Sequence, residues 1–193
     1  MAVSETSICN MALGRIGAGS LNNLTTDTSV EAIQCRLHYE PTRDALLRSH
    51  KWLFALAQAA LSEDIAAPAF GWDNQFVLPA DCLRVLNEED DDDSYEIQGR
   101  LLLTDESEVN IRYIKKVTDP TEFDPLFVKA LAVKLAVEIV MPLTQDKNLR
   151  ESLAGELRMV LGEARNVNSI EGQSDRTGND NSWVNARGGG TVE

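Results

Sequence analysis

Thr6-Ser-Ile-Cys-Asn-Met-Ala-Leu-Gly-Arg-Ile-Gly-Ala-Gly-Ser20, then a polar loop, then Ser29-Val-Glu-Ala-Ile-Gln-Cys-Arg-Leu-His-Tyr-Glu-Pro-Thr-Arg-Asp-Ala-Leu-Leu-Arg-Ser-His-Lys-Trp52 is the stretch that decides the fold. Ser4 is placed to cap a first helix, in which Ile8, Cys9, Ala12, Leu13 and Ile16 recur at spacings of three and four. Gly17 and Gly19 end it, because glycine accepts the left-handed conformation common at helix exits. Asn22, Asn23, Thr25, Thr26 and Asp27 supply turn chemistry. Ser29 caps a second helix expected to turn Val30, Ile33 and Leu37 inward. Pro41 lacks an amide proton and predicts a kink or restart before Leu46 and Leu47.

Beyond Trp52 the periodicity changes. Phe54 to Leu61 fits a strand or a helix end, and both stay open. Phe76-Val-Leu78 and Cys82-Leu-Arg-Val-Leu86 read as strands parted by Pro79. Tyr95-Glu-Ile-Gln98, Gly99 and Leu101-Leu-Leu-Thr104 read as a hairpin, and Val109 to Ile114 alternates as a strand. Asp124 and Pro125 then open a third helix, Pro being favoured in a first turn. It runs to near Pro142 and is interrupted only by Lys129, Lys134 and Glu138. With no broad polar face it must be covered all round, by its own bundle or by a neighbouring subunit. A fourth helix turns Leu149, Leu153, Leu157, Val160, Leu161 and Ala164 inward. Ser169 to Glu193 is rich in Gly, Asn, Asp and Ser with one Trp, too polar to offset its ordering entropy alone.

The expected architecture is mostly α with a small antiparallel β subdomain inserted (α+β), and with an extended C-terminal arm. Residues 1–52 and 123–168 form the two halves of a helical bundle, 53–122 the β subdomain and 169–193 the arm.

Bulk properties narrow the function. A chain of 193 residues buries roughly 70% of its unfolded surface and needs neither disulfide nor metal to fold. Cys9, Cys35 and Cys82 are spread along the chain as free thiols in a reducing compartment would be. No apolar run spans a membrane and no secretory pattern opens the chain, so a cytoplasmic product without a membrane partner is expected. A net charge of -13 argues against gripping nucleic acid through its phosphates, though not against surrounding DNA while repelling it.

Candidate chemistry is sparse. Gly14-Arg-Ile-Gly-Ala-Gly-Ser20 lacks the lysine of a phosphate loop and follows a helix, so it reads as a helix exit. Cys35 and His38 have no second ligand pair at metal-site spacing. His38 and His50 belong to no nucleophile or acid-base pattern, and Glu138 reads either as a carboxylate of raised pKa or, more plainly, as an ion-pair partner of Lys134 or of an arginine on a neighbouring chain. No catalytic, cofactor or metal residues are assigned.

Two features invite partners. The run Glu88, Glu89, Asp90, Asp91, Asp92 and Asp93 is a solvated loop in its plain reading, or a negative patch facing a DNA passage or a basic partner. Ser182, Trp183, Val184 and Arg187 carry anchor residue types in an arm with no local core.

The order of a short helix, a Gly-broken loop, a longer helix and a His50-x-Trp52 exit resembles the tail tubular protein A family, the head-to-tail adaptors of tailed bacteriophages. Leu78-Pro-Ala-Asp-Cys-Leu-Arg-Val-Leu86, the apolar helix after Pro125 and Ser182-Trp-Val-Asn-Ala-Arg187 follow in the same order. The resemblance implies a virion structural protein at the head-tail junction. It would form a dodecameric ring of its own copies beneath the portal, with Ser182 to Arg187 reaching the portal protein. The ring would offer a platform to a downstream tail (nozzle) protein and pass DNA without binding it specifically. The competing expectation is an acidic DNA-mimic inhibitor, which should spread its carboxylates over a long exposed face rather than gather them in one loop.

Overall fold

The structure is a computed structural model that describes residues 3–64, 66–86 and 94–172. Its elements are α1 (Glu5–Arg15), α2 (Val30–Arg48), β1 (Leu56–Ala60), β2 (Ser62–Glu63), β3 (Asn74–Val77), β4 (Cys82–Leu86), β5 (Tyr95–Gln98), β6 (Leu101–Thr104), β7 (Asn110–Lys115), α3 (Pro125–Thr144) and α4 (Lys147–Gly172). This is an α+β fold of helices with two small antiparallel sheets.

The caps lie where the sequence puts them. Ser4 and Ser7 form a reciprocal capping box on α1, Ser29 caps α2 through the Ala32 amide, and Asp124 accepts from the Leu126 and Phe127 amides. Gly17 takes the left-handed exit of α1 at φ 70°, a conformation that Gly19 does not share.

The bundle is organised around α3, which packs against α1, α2 and α4. Phe127, Leu131, Leu135, Ala136 and Ile139 are fully buried there, each large aliphatic contributing about 1.5–3 kcal/mol before entropy is subtracted. Of the two ways of covering α3, its own bundle is the one observed, so this helix needs no second copy. The helix also passes Pro142 and ends at Thr144 with Gln145 in the left-handed region. The carbonyl that Pro142 leaves without an amide belongs to Glu138, on the exposed side, where water can serve it. In α4, Leu153, Val160 and Ala164 are buried and Leu149, Leu157 and Leu161 pack on the core, as the periodicity requires. The helix extends four residues beyond 168, to Gly172, into the stretch read as arm.

One expectation for α2 needs correction, and at Pro41 one of the two alternatives drops out. The helix is continuous through Pro41 rather than restarted, and both Pro41 and Leu37, whose carbonyl loses its amide, face solvent. Its buried face is Ala32, Cys35, Tyr39, Thr42, Arg43, Leu46 and Leu47. Val30, Ile33 and Leu37 point outward, between 48% and 62% exposed.

Phe54 to Leu61 becomes a 3-10 turn over Leu53–Ala55 followed by β1. The β unit is two sheets, β1-β7-β4 and β2-β3-β6-β5, and the chain crosses between them at Leu61, whose amide donates to Val109. β3 and β4 therefore do not pair. Pro79 sits at the second crossing, where the Arg100 guanidinium binds the carbonyls of Leu78, Pro79 and Cys82. β5 and β6 form the expected hairpin, with Gly99 at φ 62° in the turn. Phe76, Leu78, Val85, Leu102, Ile111 and Tyr113, drawn from both sheets, make a second small core.

Candidate interaction surfaces

The junction between bundle and β unit is closely packed. Trp52 is fully buried, donates its indole N–H to the Leu46 carbonyl at 3.0 Å, and meets Phe127 edge-on at 5.1 Å. Phe54 and Phe123 close the same aromatic cluster. Asn168 of α4 accepts from the Leu53 amide at 2.9 Å and donates to the Lys51 carbonyl at 2.8 Å. Its amide also lies 3.3 Å from His50 Nε2. The His50-x-Trp52 exit is thus a structural joint. Nothing in the sequence marked Asn168 as its clamp, because one Asn late in an amphipathic helix carries no local signal. Gly172 ends α4 against Leu53.

Cations near α2 serve the fold. Arg43, 3% exposed, pairs with Asp44 at 2.8 Å and Glu40 at 3.2 Å, and Lys116 reaches the same two carboxylates. Hydrogen bonding to Lys116 and its charge, with Arg43 nearby, hold the Glu40 carboxyl below its usual range. Arg36 binds the carbonyls of Leu24 and Asp27 and so pins the loop between α1 and α2. Cys35 lies against Cys9, and that hydrogen bond, with burial, pushes the Cys9 thiol up. His38 is half-buried on the neighbouring face. Glu138 is exposed and acts on half-buried Lys134, which burial lowers.

The sequence-predicted partner residues, Glu88 to Asp93 and Ser182, Trp183, Val184 and Arg187, lie outside the described residues. The acidic run's anchor points are described. Leu86 ends β4 and Tyr95 opens β5, and both border a cleft of about 730 Å³ beside the two sheets.

Two surfaces emerge that sequence reasoning missed. One is the outer face of α2. Val30, Ile33, Leu37, Pro41 and Ala45 follow one another at spacings of three and four, all exposed and all apolar, opposite the buried face. The other is the β2–β3 connection, Ala66-Ala-Pro-Ala-Phe-Gly-Trp72, in which Phe70 is 86% exposed.

Charge divides along the same line. Residues 52–111 hold fourteen carboxylates against Arg84 and Arg100, a balance of -12, whereas the rest of the chain sums to -1. Six of those carboxylates are the run Glu88–Asp93, and the others are spread along the β unit. The surplus therefore belongs to one unit rather than to one loop.

No family model matches the chain, and no curated protein does.

Proposed function

We propose that the chain is a head-to-tail adaptor of a tailed bacteriophage, a structural protein whose copies form a ring beneath the portal protein. The bundle builds the wall of a DNA channel. Ser182, Trp183, Val184 and Arg187 dock on the portal, and the β unit faces the downstream tail protein. DNA passes without specific binding, which suits Glu88 to Asp93 as a lining or as a patch for a basic partner.

The observation that carries this reading is α2. A helix apolar on both faces is one that finishes its burial against something else, and the outward stripe from Val30 to Ala45 spans about four turns. The order of elements supports it too: a helix pair, a β insertion entered through His50-x-Trp52, then the apolar and amphipathic helices and the Trp183 tail. The stretch from 173 to 193 has a contour length of about 70 Å, enough chain for an arm.

Electron microscopy of the chain mixed with a portal ring tests the reading. The expected result is an added ring of density coaxial with the portal, and unchanged portal particles refute it. A chain ending at Gly172 should unfold at the same temperature as the full chain but leave the portal bare.

A further inference from the structure

The loop from Ala66 to Trp72 is an anomaly of composition. Surface connections are built from Gly, Pro, Asn, Asp and Ser because these satisfy turns and water. Here Ile65 to Trp72 contains no charged or amide side chain, and Phe70 at its tip is 86% exposed, the most exposed of the large apolar side chains among the described residues. A single exposed apolar residue is ordinary, but an aromatic at the tip of an apolar loop is not.

The loop is also held in shape. At one foot the Asp64 amide donates to the Gln75 carbonyl at 2.8 Å, and the Ala66 amide to the Asp64 carboxylate at 3.3 Å. At the other, the Asp73 amide donates to Asp105 at 3.0 Å, and the Trp72 indole N–H to Glu96 at 3.3 Å. Gly71, at φ 86°, makes the turn that a side chain would strain. Phe70 is therefore presented by a braced hairpin, which lowers the ordering cost of binding.

The surroundings have one sign. Glu63, Asp64, Asp73, Glu96, Asp105 and Glu106 all lie on or beside the loop's feet, and the sequence has no lysine or arginine from Trp52 to Leu83. An apolar tip carried on acidic feet has a complement of definite chemistry.

We infer that the Ala66–Trp72 loop is a docking element whose partner is a protein surface presenting an apolar pocket rimmed by lysine or arginine, with Phe70 as the anchor. The carboxylates steer and orient the encounter, and the buried aromatic supplies the affinity. A second copy of this chain is a poor complement, since its β unit is equally acidic and its bundle nearly neutral. An anionic membrane would be repelled. The inference does not rest on the adaptor reading, and the portal experiment can fail while this one stands.

The test is a peptide-display selection on the full chain, counter-selected against Phe70→Ala. Enriched peptides should pair an aromatic or aliphatic residue with two or more Lys or Arg. They should bind Phe70→Ala about tenfold or more weakly, and lose affinity again as salt rises. Ile170→Ala, an equally apolar change 63% exposed on α4, should bind them as the unaltered chain does. Both variants should unfold like the parent, because neither side chain is buried. No enrichment, peptides without basic residues, or equal binding to Phe70→Ala would each overturn the inference. So would Phe70-dependent self-association in sedimentation, or Phe70-dependent pelleting with phosphatidylserine vesicles.

Discussion

Tyr39 sits on the inner face of α2, 3% exposed, with the Arg43 guanidinium 5.9 Å above its ring and no hydrogen-bond partner for its hydroxyl among the described residues. Burial pushes its ionisation up, so the group stays neutral and simply lacks the bonds it would make in water. Removing a desolvated hydroxyl while keeping the ring should cost nothing, and Tyr39→Phe is expected to raise stability by about 1 kcal/mol, read by urea unfolding. A fall of similar size would mean that the hydroxyl has a partner after all. His50 behaves differently. Burial, followed by the charges of Arg165 and Arg84, holds its imidazole below the ordinary histidine range. As pH falls below about 6.5 the unfolded chain takes up a proton that the folded chain does not. Stability therefore declines through that window, and the loss is complete once pH is below the folded value. Above the window His50 adds no slope. Between pH 7.5 and 5.5 the melting temperature should drop less for His50→Gln than for the parent, and equal drops would assign the slope to other groups.

At the scale of elements, α2 shows where sequence periodicity stops being informative. In α1 the apolar residues fall on one stripe, so Ile8, Cys9, Ala12, Leu13 and Ile16 could be phased from the pattern alone, and all are buried. α4 is equally legible for the same reason. In α2 two apolar stripes lie on opposite sides, and hydrophobicity gives no basis for preferring either. The larger side chains Val30, Ile33 and Leu37 suggest the wrong one, and it is the face of Ala32, Cys35 and Tyr39 that the bundle core buries. α3 left a different ambiguity, since a helix without a polar side does not reveal whether its cover is its own chain. The caps, the β5–β6 hairpin and β7 were readable because each rests on a few local residues. The partition into two sheets was not, because crossings at Leu61 and Pro79 depend on which distant strand each segment meets. Of the candidate surfaces, the Phe70 loop is legible only as composition, since nothing local in the sequence says whether Phe70 is buried or exposed. The exposed stripe on α2 has its own consequence. Replacing Val30, Ile33 and Leu37 together by Gln should leave thermal unfolding within about 1 kcal/mol of the parent, as exposed positions change stability little. The same change should abolish any ring assembly on the portal. Loss of folding would show that these side chains serve the core instead.

For the whole molecule, the division of charge sets the terms of assembly. If -13 were spread evenly, every approach of two copies would be opposed alike. With -12 of it in residues 52–111, repulsion acts where β units come together, while the bundles, and with them the α2 stripe, can approach almost freely. In the proposed ring, side-by-side packing would bring like units next to like units, so the acidic β units would oppose the closure that the apolar stripe would favour. Salt shifts that balance in one direction only. The screening length falls from about 10 Å at 0.1 M to about 3 Å at 1 M, while burial of Val30, Ile33 and Leu37 is not weakened by salt. The free chain should therefore be monomeric at low ionic strength and associate as salt rises, measured by light scattering coupled to size exclusion. Asp90→Asn, Asp91→Asn, Asp92→Asn and Asp93→Asn together remove four of the charges and should move the onset of association to lower salt without altering unfolding. Adding the Gln replacements on α2 to that variant should cancel the association at every salt concentration. A stable ring of the unaltered chain at low salt would overturn the opposition between the two units, and association that weakens with added salt would place attraction, not repulsion, in the acidic end.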